Sequence, residues 1–198
     1  SQKTDFGRAG YKGRVKSVKV SSFDIEQIDG KLVRTGLVFP GENITKYDEK
    51  GNKTEEVRYD ASGKITGKYT SKYDEKGNHT ESVSYDATGK ISRKSTYKYD
   101  EKGNKTEEVR YDATGKIKER FTFKYDEKGN KVKVAGYDAT GKSEGTATYK
   151  YDEKGNMLEE VMYDASGKIR RNYTSKFDEK GNRLEGAGYD ATGKSEGK

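Results

Sequence analysis

The chain has no cysteine and no tryptophan, a single histidine (His79), a single proline (Pro40) and two methionines. Without cysteine there is neither a disulfide nor a thiolate metal site, and the redox compartment stays open. No apolar run approaches the roughly 18–20 residues of a membrane-spanning helix. Only 28% of residues are hydrophobic while 38% are charged, a balance that in most chains leaves too little apolar surface to fold. What the sequence does have is tyrosine, 16 of them, in strict order.

The net charge is +7, but +5 of it sits in the first twenty residues, where Lys3, Arg8, Lys12, Arg14, Lys16 and Lys19 face Asp5 alone. The rest is close to neutral with both signs interspersed, which is a solvated surface and not an electrostatic footprint for nucleic acid.

From residue 47 onward one 26-residue unit recurs six times. Tyr47, Tyr73, Tyr99, Tyr125, Tyr151 and Phe177 open "DEKGN" turns, and Tyr59, Tyr85, Tyr111, Tyr137, Tyr163 and Tyr189 open "DA[ST]GK" turns. In both, Asp is poised to accept its own downstream amides and Gly to supply the positive φ of a type I turn closed by a bulge. The intervening segments are of strand length. The expected fold is all-β: an antiparallel meander of two-strand repeats with about 12–14 strands, in one extended, twisted or curled sheet. Residues 1–46, with a longer turn at "DIEQIDG" and the proline at position 40, read as a degenerate N-terminal capping repeat, and 47–198 as the array, its last copy truncated.

Period-two alternation predicts a two-faced sheet. Val57, Tyr59, Ile65, Tyr69 and Tyr73 fall on one face, and Glu56, Arg58, Lys68 and Lys72 on the other. If the bulged turn keeps parity, Tyr59 lies opposite Ile65, Glu56 opposite Lys68 and Glu108 opposite Arg120. An aromatic face of this size calls for a cover, either the sheet curling on itself or a second copy of the chain.

Two groups of residues stand out as candidate sites. Tyr69, Tyr97, Tyr99, Phe121, Phe123, Tyr125, Tyr149, Tyr151 and Tyr173 form a row of rings suited to stacking on sugars, since tyrosine combines a flat apolar body with a polar tip. Val132, Val134, Leu158, Met162 and Leu184 occupy positions that are polar in earlier copies, and mark either a region that the curling sheet buries against itself or a protein-contact patch on the polar face, for a second copy or another partner. His79 sits in a slot filled elsewhere by Lys53, Lys105, Lys131, Met157 and Arg183, which reads as an exposed strand position and not a catalytic one. The "DEKGN" turns carry a lysine and lack the converging oxygens of a calcium loop. No catalytic residue, metal or cofactor is expected.

The alternation of "KYDEKGN" with "YDATGKI" resembles the YD repeats of bacterial rearrangement-hotspot and related secreted proteins, and "YKGRVKSVKV" is similar to the start of small exported Bacteroidetes proteins carrying such repeats. The resemblance covers residues 47–198 well and 1–46 loosely. It implies β-hairpin architecture and an exported protein (secreted, periplasmic or at the cell surface), with any leader already removed. The expected role is a non-enzymatic structural, adhesive or protein-interaction scaffold, whose partner is a protein, a glycan or a second copy. The alternative is a carbohydrate-binding module using the Tyr/Phe face.

Overall fold

A computed structural model describes residues 16–20, 23–28, 31–37 and 42–195. The basic residues before position 16 and Pro40 lie outside the described residues. Thirteen strands form one antiparallel sheet. Their ranges in chain order are β1 (Ser17–Val20), β4 (Asn43–Tyr47), β5 (Lys53–Tyr59), β6 (Ile65–Tyr73), β7 (His79–Tyr85), β8 (Ile91–Tyr99), β9 (Lys105–Tyr111), β10 (Ile117–Tyr125), β11 (Lys131–Asp138), β12 (Ser143–Tyr151), β13 (Met157–Asp164), β14 (Ile169–Phe177) and β15 (Arg183–Asp190). Sheet order follows chain order except that β2 (Phe23–Ile28) and β3 (Lys31–Leu37) pair apart as their own hairpin, so that β1 lies beside β4. The chain divides into two compact units, residues 1–96 with 112–115 and residues 97–111 with 116–198.

Both turn families close as the sequence predicts. In each, the Gly N–H donates to the Asp carbonyl three residues back and the Asp N–H to the carbonyl four residues on, as in Gly51 to Asp48 (3.0 Å) and Asp48 to Asn52 (2.9 Å). The turn glycines have φ between +81° and +86°, the left-handed region open to glycine at little steric cost. The Asp side chain completes the loop: Asp126 Oδ1 accepts the Asn130 N–H at 2.8 Å and its Oδ2 accepts the Asn130 amide at 2.9 Å. In the other family Asp138 Oδ1 accepts the Thr140 hydroxyl at 2.7 Å and the Lys142 N–H at 3.0 Å.

Neighbouring "DEKGN" turns also bind each other. Lys50 Nζ donates to the Glu75 carbonyl at 2.7 Å, Lys128 Nζ to Glu153 at 3.0 Å, and Lys154 Nζ to Glu179. Tyrosine hydroxyls brace the same edge, Tyr73 on the Lys53 carbonyl (3.0 Å), Tyr125 on Lys105 (2.9 Å) and Tyr151 on Lys131 (3.0 Å).

Most of the turn carboxylates hold protons less tightly than free ones. The hydroxyl two residues on, with backbone amides, lowers Asp60, Asp86, Asp138, Asp164 and Asp190. The Asn amide does the same for Asp100, Asp126, Asp152 and Asp178. Because the folded values lie below the unfolded value of about 3.9 for Asp, the unfolded chain binds more protons once pH drops below about 4. Stability is therefore full above that point and falls as pH descends through the folded values. An acid titration followed by circular dichroism should show one cooperative loss of strand signal with its midpoint below about pH 4; a midpoint near neutrality would place the loss in other groups.

The register corrects the expected division of faces. Tyr59 does lie opposite Ile65, but Arg58 lies opposite Gly67, Val57 opposite Lys68 and Glu56 opposite Tyr69, because Thr66 is an unpaired extra residue. In the third copy Glu108 likewise lies opposite Phe121 and Arg120 opposite Val109, with Lys118 the extra residue. A second extra residue occurs at the other turn, where Tyr73 pairs with His79 and Lys72 with Glu81, skipping Thr80. Each extra residue flips every side chain beyond it. Rings and charges consequently share both faces.

One face, the valine face, carries Val57, Val83, Val109, Ala135 and Val161, all buried. Thr70 lies opposite Val83, Thr122 opposite Ala135 and Thr148 opposite Val161. Lys68, Lys94 and Arg120 lie opposite Val57, Val83 and Val109, laying their methylene stems along the row while the charged ends reach outward. Lys68 pairs with Glu55 at 2.6 Å and Lys94 with Glu81 at 2.8 Å. Tyr85 and Tyr137 are on this face too, under Lys68 (5.9 Å) and Arg120 (4.8 Å).

Candidate functional site

The other face, the ring face, holds the candidate sugar platform. Its rings are half-buried, and cations lie between them. In the first unit Lys53 Nζ is 5.5 Å from the Tyr69 ring centre and 3.0 Å from Glu56 Oε2, while Arg58 Nε is 2.7 Å from Glu56 Oε1. In the second unit Lys105 Nζ lies 5.3 Å from Tyr97 and 4.8 Å from Phe123, and 2.7 Å from Glu108 Oε2. Arg110 stacks on Phe121 at 4.6 Å and binds Glu108 at 2.8 Å and Glu119 at 3.2 Å. Lys131 lies 5.0 Å from Tyr149, and Arg183 lies 5.1 Å from Tyr173.

The contact of Lys53 with Glu56, and of Lys105 with Glu108, joins residues three apart in a strand, which strict alternation would put on opposite faces. The extra residue at Thr54 turns Lys53 onto the ring face, and Lys105 makes the equivalent contact. Burial alone would raise the Glu108 carboxyl, but the bonds from Lys105 and Arg110 overcome it and hold the group below its ordinary range. Between ring columns the residues are small: Ser71, Ser95 and Ser175 are buried, Ser95 at 4% exposure.

Of the nine predicted ring residues, Tyr69, Tyr97, Phe121, Phe123, Tyr149 and Tyr173 carry these cation contacts. Tyr125 and Tyr151 serve the turn edge through their hydroxyls, and Tyr99 stands half-buried at the end of β8. His79 lies 5.2 Å from the Tyr73 ring.

The predicted contact patch is not on a face of its own. Val134 lies opposite Phe123 and Ala147, and Met162 opposite Ala147 and Arg171, so both belong to the ring face. Val132 lines a depression of about 590 Å³ at the turn edge with Tyr149, Tyr151 and the Asp126 and Asp152 turns. Leu158, Met162 and Leu184 remain exposed, Leu184 at 64%, so the sheet does not bury them against itself. On β11–β13 the charged slots of earlier copies hold Val134, Gly136 and Met162, which leaves an apolar window beside Phe121 and Phe123.

A smaller groove of about 270 Å³ opens on β13 and β14, lined by Met157, Glu160, Met162, Arg171 and Tyr173. Sequence reasoning passed over Met157 and Glu160. The signal was present in the slot shared by His79, Lys53, Lys105, Lys131 and Arg183, a slot half-buried at Met157. Burial, followed by the charge and hydrogen bond of Glu160, raises the Tyr149 hydroxyl above its ordinary range. Among the described residues no cluster of three or more acidic or imidazole side chains is placed to hold a metal ion, and no helix is long and apolar enough to cross a membrane.

A MORN repeat variant matches residues 78–99, and no curated protein matches the sequence. Among solved structures, a porin-like protein from Bacteroides uniformis is 13% identical, covering 88% of this chain and 89% of that one, with a TM-score of 0.35. A Tc holotoxin pore structure from Photorhabdus luminescens is 12% identical over 90% of this chain and 14% of that one, with a TM-score of 0.32. A protein of unknown function from Bacteroides fragilis is 15% identical, covering 86% and 91%, with a TM-score of 0.13. The chain is an all-β protein of tandem hairpins.

Proposed function

We propose that this chain is a non-enzymatic scaffold, exported by a bacterium, that presents its ring face to a protein partner. The observation that carries this reading is how the ring-face charges are engaged. In the first and third copies Glu56 and Glu108 are each bonded by two cations of their own strand, an arrangement that holds a surface in shape and leaves no poised acid or base. Departures from it are apolar, at Val134, Met157 and Met162, which is the chemistry of contact and not of turnover. The resemblance to YD-repeat proteins supports export.

The carbohydrate alternative draws less support. Lys105 stands between Tyr97 and Phe123, so a sugar lying across that row has to displace a cation held by Glu108. Fractionating the producing cell tests the reading: the chain should appear in the periplasm, envelope or medium, and confinement to the cytoplasm overturns it. A glycan array should be blank, and a hit lost in Phe123→Ala would favour the carbohydrate module instead.

A further inference from the structure

On the ring face, rings and cations alternate along a row running across the strands. The second unit shows Tyr97, Lys105 and Phe123, then Lys131 and Tyr149, then Tyr173 and Arg183. Between Tyr149 and Tyr173 the position that should hold a cation belongs to Met157, which lies in the fifth copy where Lys53 and Lys105 lie in the first and third. The arginine slot of Arg58 and Arg110 likewise holds Met162, and the place of Phe123 holds Ser175, while the carboxylate remains. Glu160 lies directly opposite both Tyr149 and Tyr173, just as Glu56 lies opposite Tyr69 and Glu108 opposite Phe121.

In the first and third copies the equivalent carboxylate grips its own lysine, at 3.0 Å for Lys53–Glu56 and 2.7 Å for Lys105–Glu108. The fifth copy keeps the carboxylate and has a ring on each neighbouring strand, Tyr149 in the place of Tyr97 and Tyr173 in the place of Tyr69; it puts thioethers where the ammonium and the guanidinium were, and has the 270 Å³ groove beside them.

We propose that this groove binds an alkylammonium group of about the size of a lysine side chain, which takes the place of the lysine that the first and third copies supply from within. The physical basis is the same in both settings. A carboxylate oxygen accepts from the ammonium, the ring quadrupoles attract the charge, and the polarizable, unbranched Met157 and Met162 line the path of the alkyl stem. The Tyr149 hydroxyl, hydrogen-bonded to Glu160, orients the acceptor. Arg171 stands opposite Met162 at the far end of the groove, and Lys131 and Arg183 lie against Tyr149 and Tyr173. These three cations set the incoming ammonium at the Met157 end and keep its affinity low. The site stands on this geometry whether or not the chain is an exported scaffold.

Met157 and Met162 are the only methionines, so protein labelled with ¹³C in the methionine methyls gives two signals, both from the groove. Titration with n-butylammonium chloride should move them along a saturable curve with a Kd on the order of millimolar, and n-butanol should not. Glu160→Gln should weaken binding by about tenfold or more. Met157→Lys installs the internal occupant, so the remaining Met162 signal should stop responding while circular dichroism shows the fold retained. N-acetyl-lysine amide distinguishes the source: binding equal to butylammonium assigns the groove to a lysine side chain, and weaker binding assigns it to a free amine. Shifts that fail to saturate, that n-butanol reproduces, or that persist unchanged in Met157→Lys overturn the proposal.

Discussion

Alanine at Gly145 should destabilise the fold by about 3 kcal/mol or more. Gly145 has φ +144° within β12, and a Cβ there would stand 2.5 Å from the Tyr163 carbonyl oxygen. Both sides of that clash are backbone in paired strands, so neither gives way cheaply. Gly141 is the comparison: its φ is +85°, and a Cβ there meets nothing within 4 Å. Gly141→Ala should cost only the left-handed strain, about 1–2 kcal/mol. Urea denaturation of the two variants measures the difference. Equal midpoints would mean that β13 does not approach β12 at this point as described.

The second large effect is expected on the valine face. Val161 is 8% exposed and lies between Thr148 and Asn172, with no cation directly opposite. Val161→Asp puts a carboxylate into that row and should cost about 3 kcal/mol. Leu184→Asp, at a site 64% exposed, should change stability by less than about 0.5 kcal/mol. If the two substitutions cost the same, the buried valine row does not hold the sheet together.

The hairpins were legible because their signals are local. Asp followed three residues later by Gly dictates the turn, and the 26-residue period places the strands of the array. Two features at the N-terminal end were not legible: the β2–β3 hairpin leaves the main sheet, and β1 pairs past it with β4. The faces were also misread, for a definite reason. Alternation counts residues, whereas pairing skips Thr66 in one hairpin and Thr80 in the next, and no residue type at those positions announces the skip. Serine, lysine, glutamate and arginine fill the place of Thr66 in later copies, at Ser92, Lys118, Glu144 and Arg170.

The same skip explains the candidate site. The slot of Lys53 and Lys105 reads in the sequence as an exposed strand position, unconnected to the rings. The extra residue beside Lys53 turns it onto the ring face and onto the carboxylate three positions on, and Lys105 makes the same contact. Once that geometry is known, Met157 becomes visible as the odd residue in an otherwise cationic slot. Val134 and Met162, expected opposite the rings, prove to be their neighbours.

The register itself is best tested by paired cysteines, since the chain has none of its own. Residues directly opposite in an antiparallel pair bring their Cβ atoms within disulfide reach, and residues on opposite faces do not. Cysteines at Glu108 and Phe121 should cross-link on mild oxidation, while cysteines at Glu108 and Arg120 should remain reduced. Efficient cross-linking of Glu108 with Arg120 and none with Phe121 would restore a sheet with rings on one side and charges on the other, and would contradict the arrangement described for both faces.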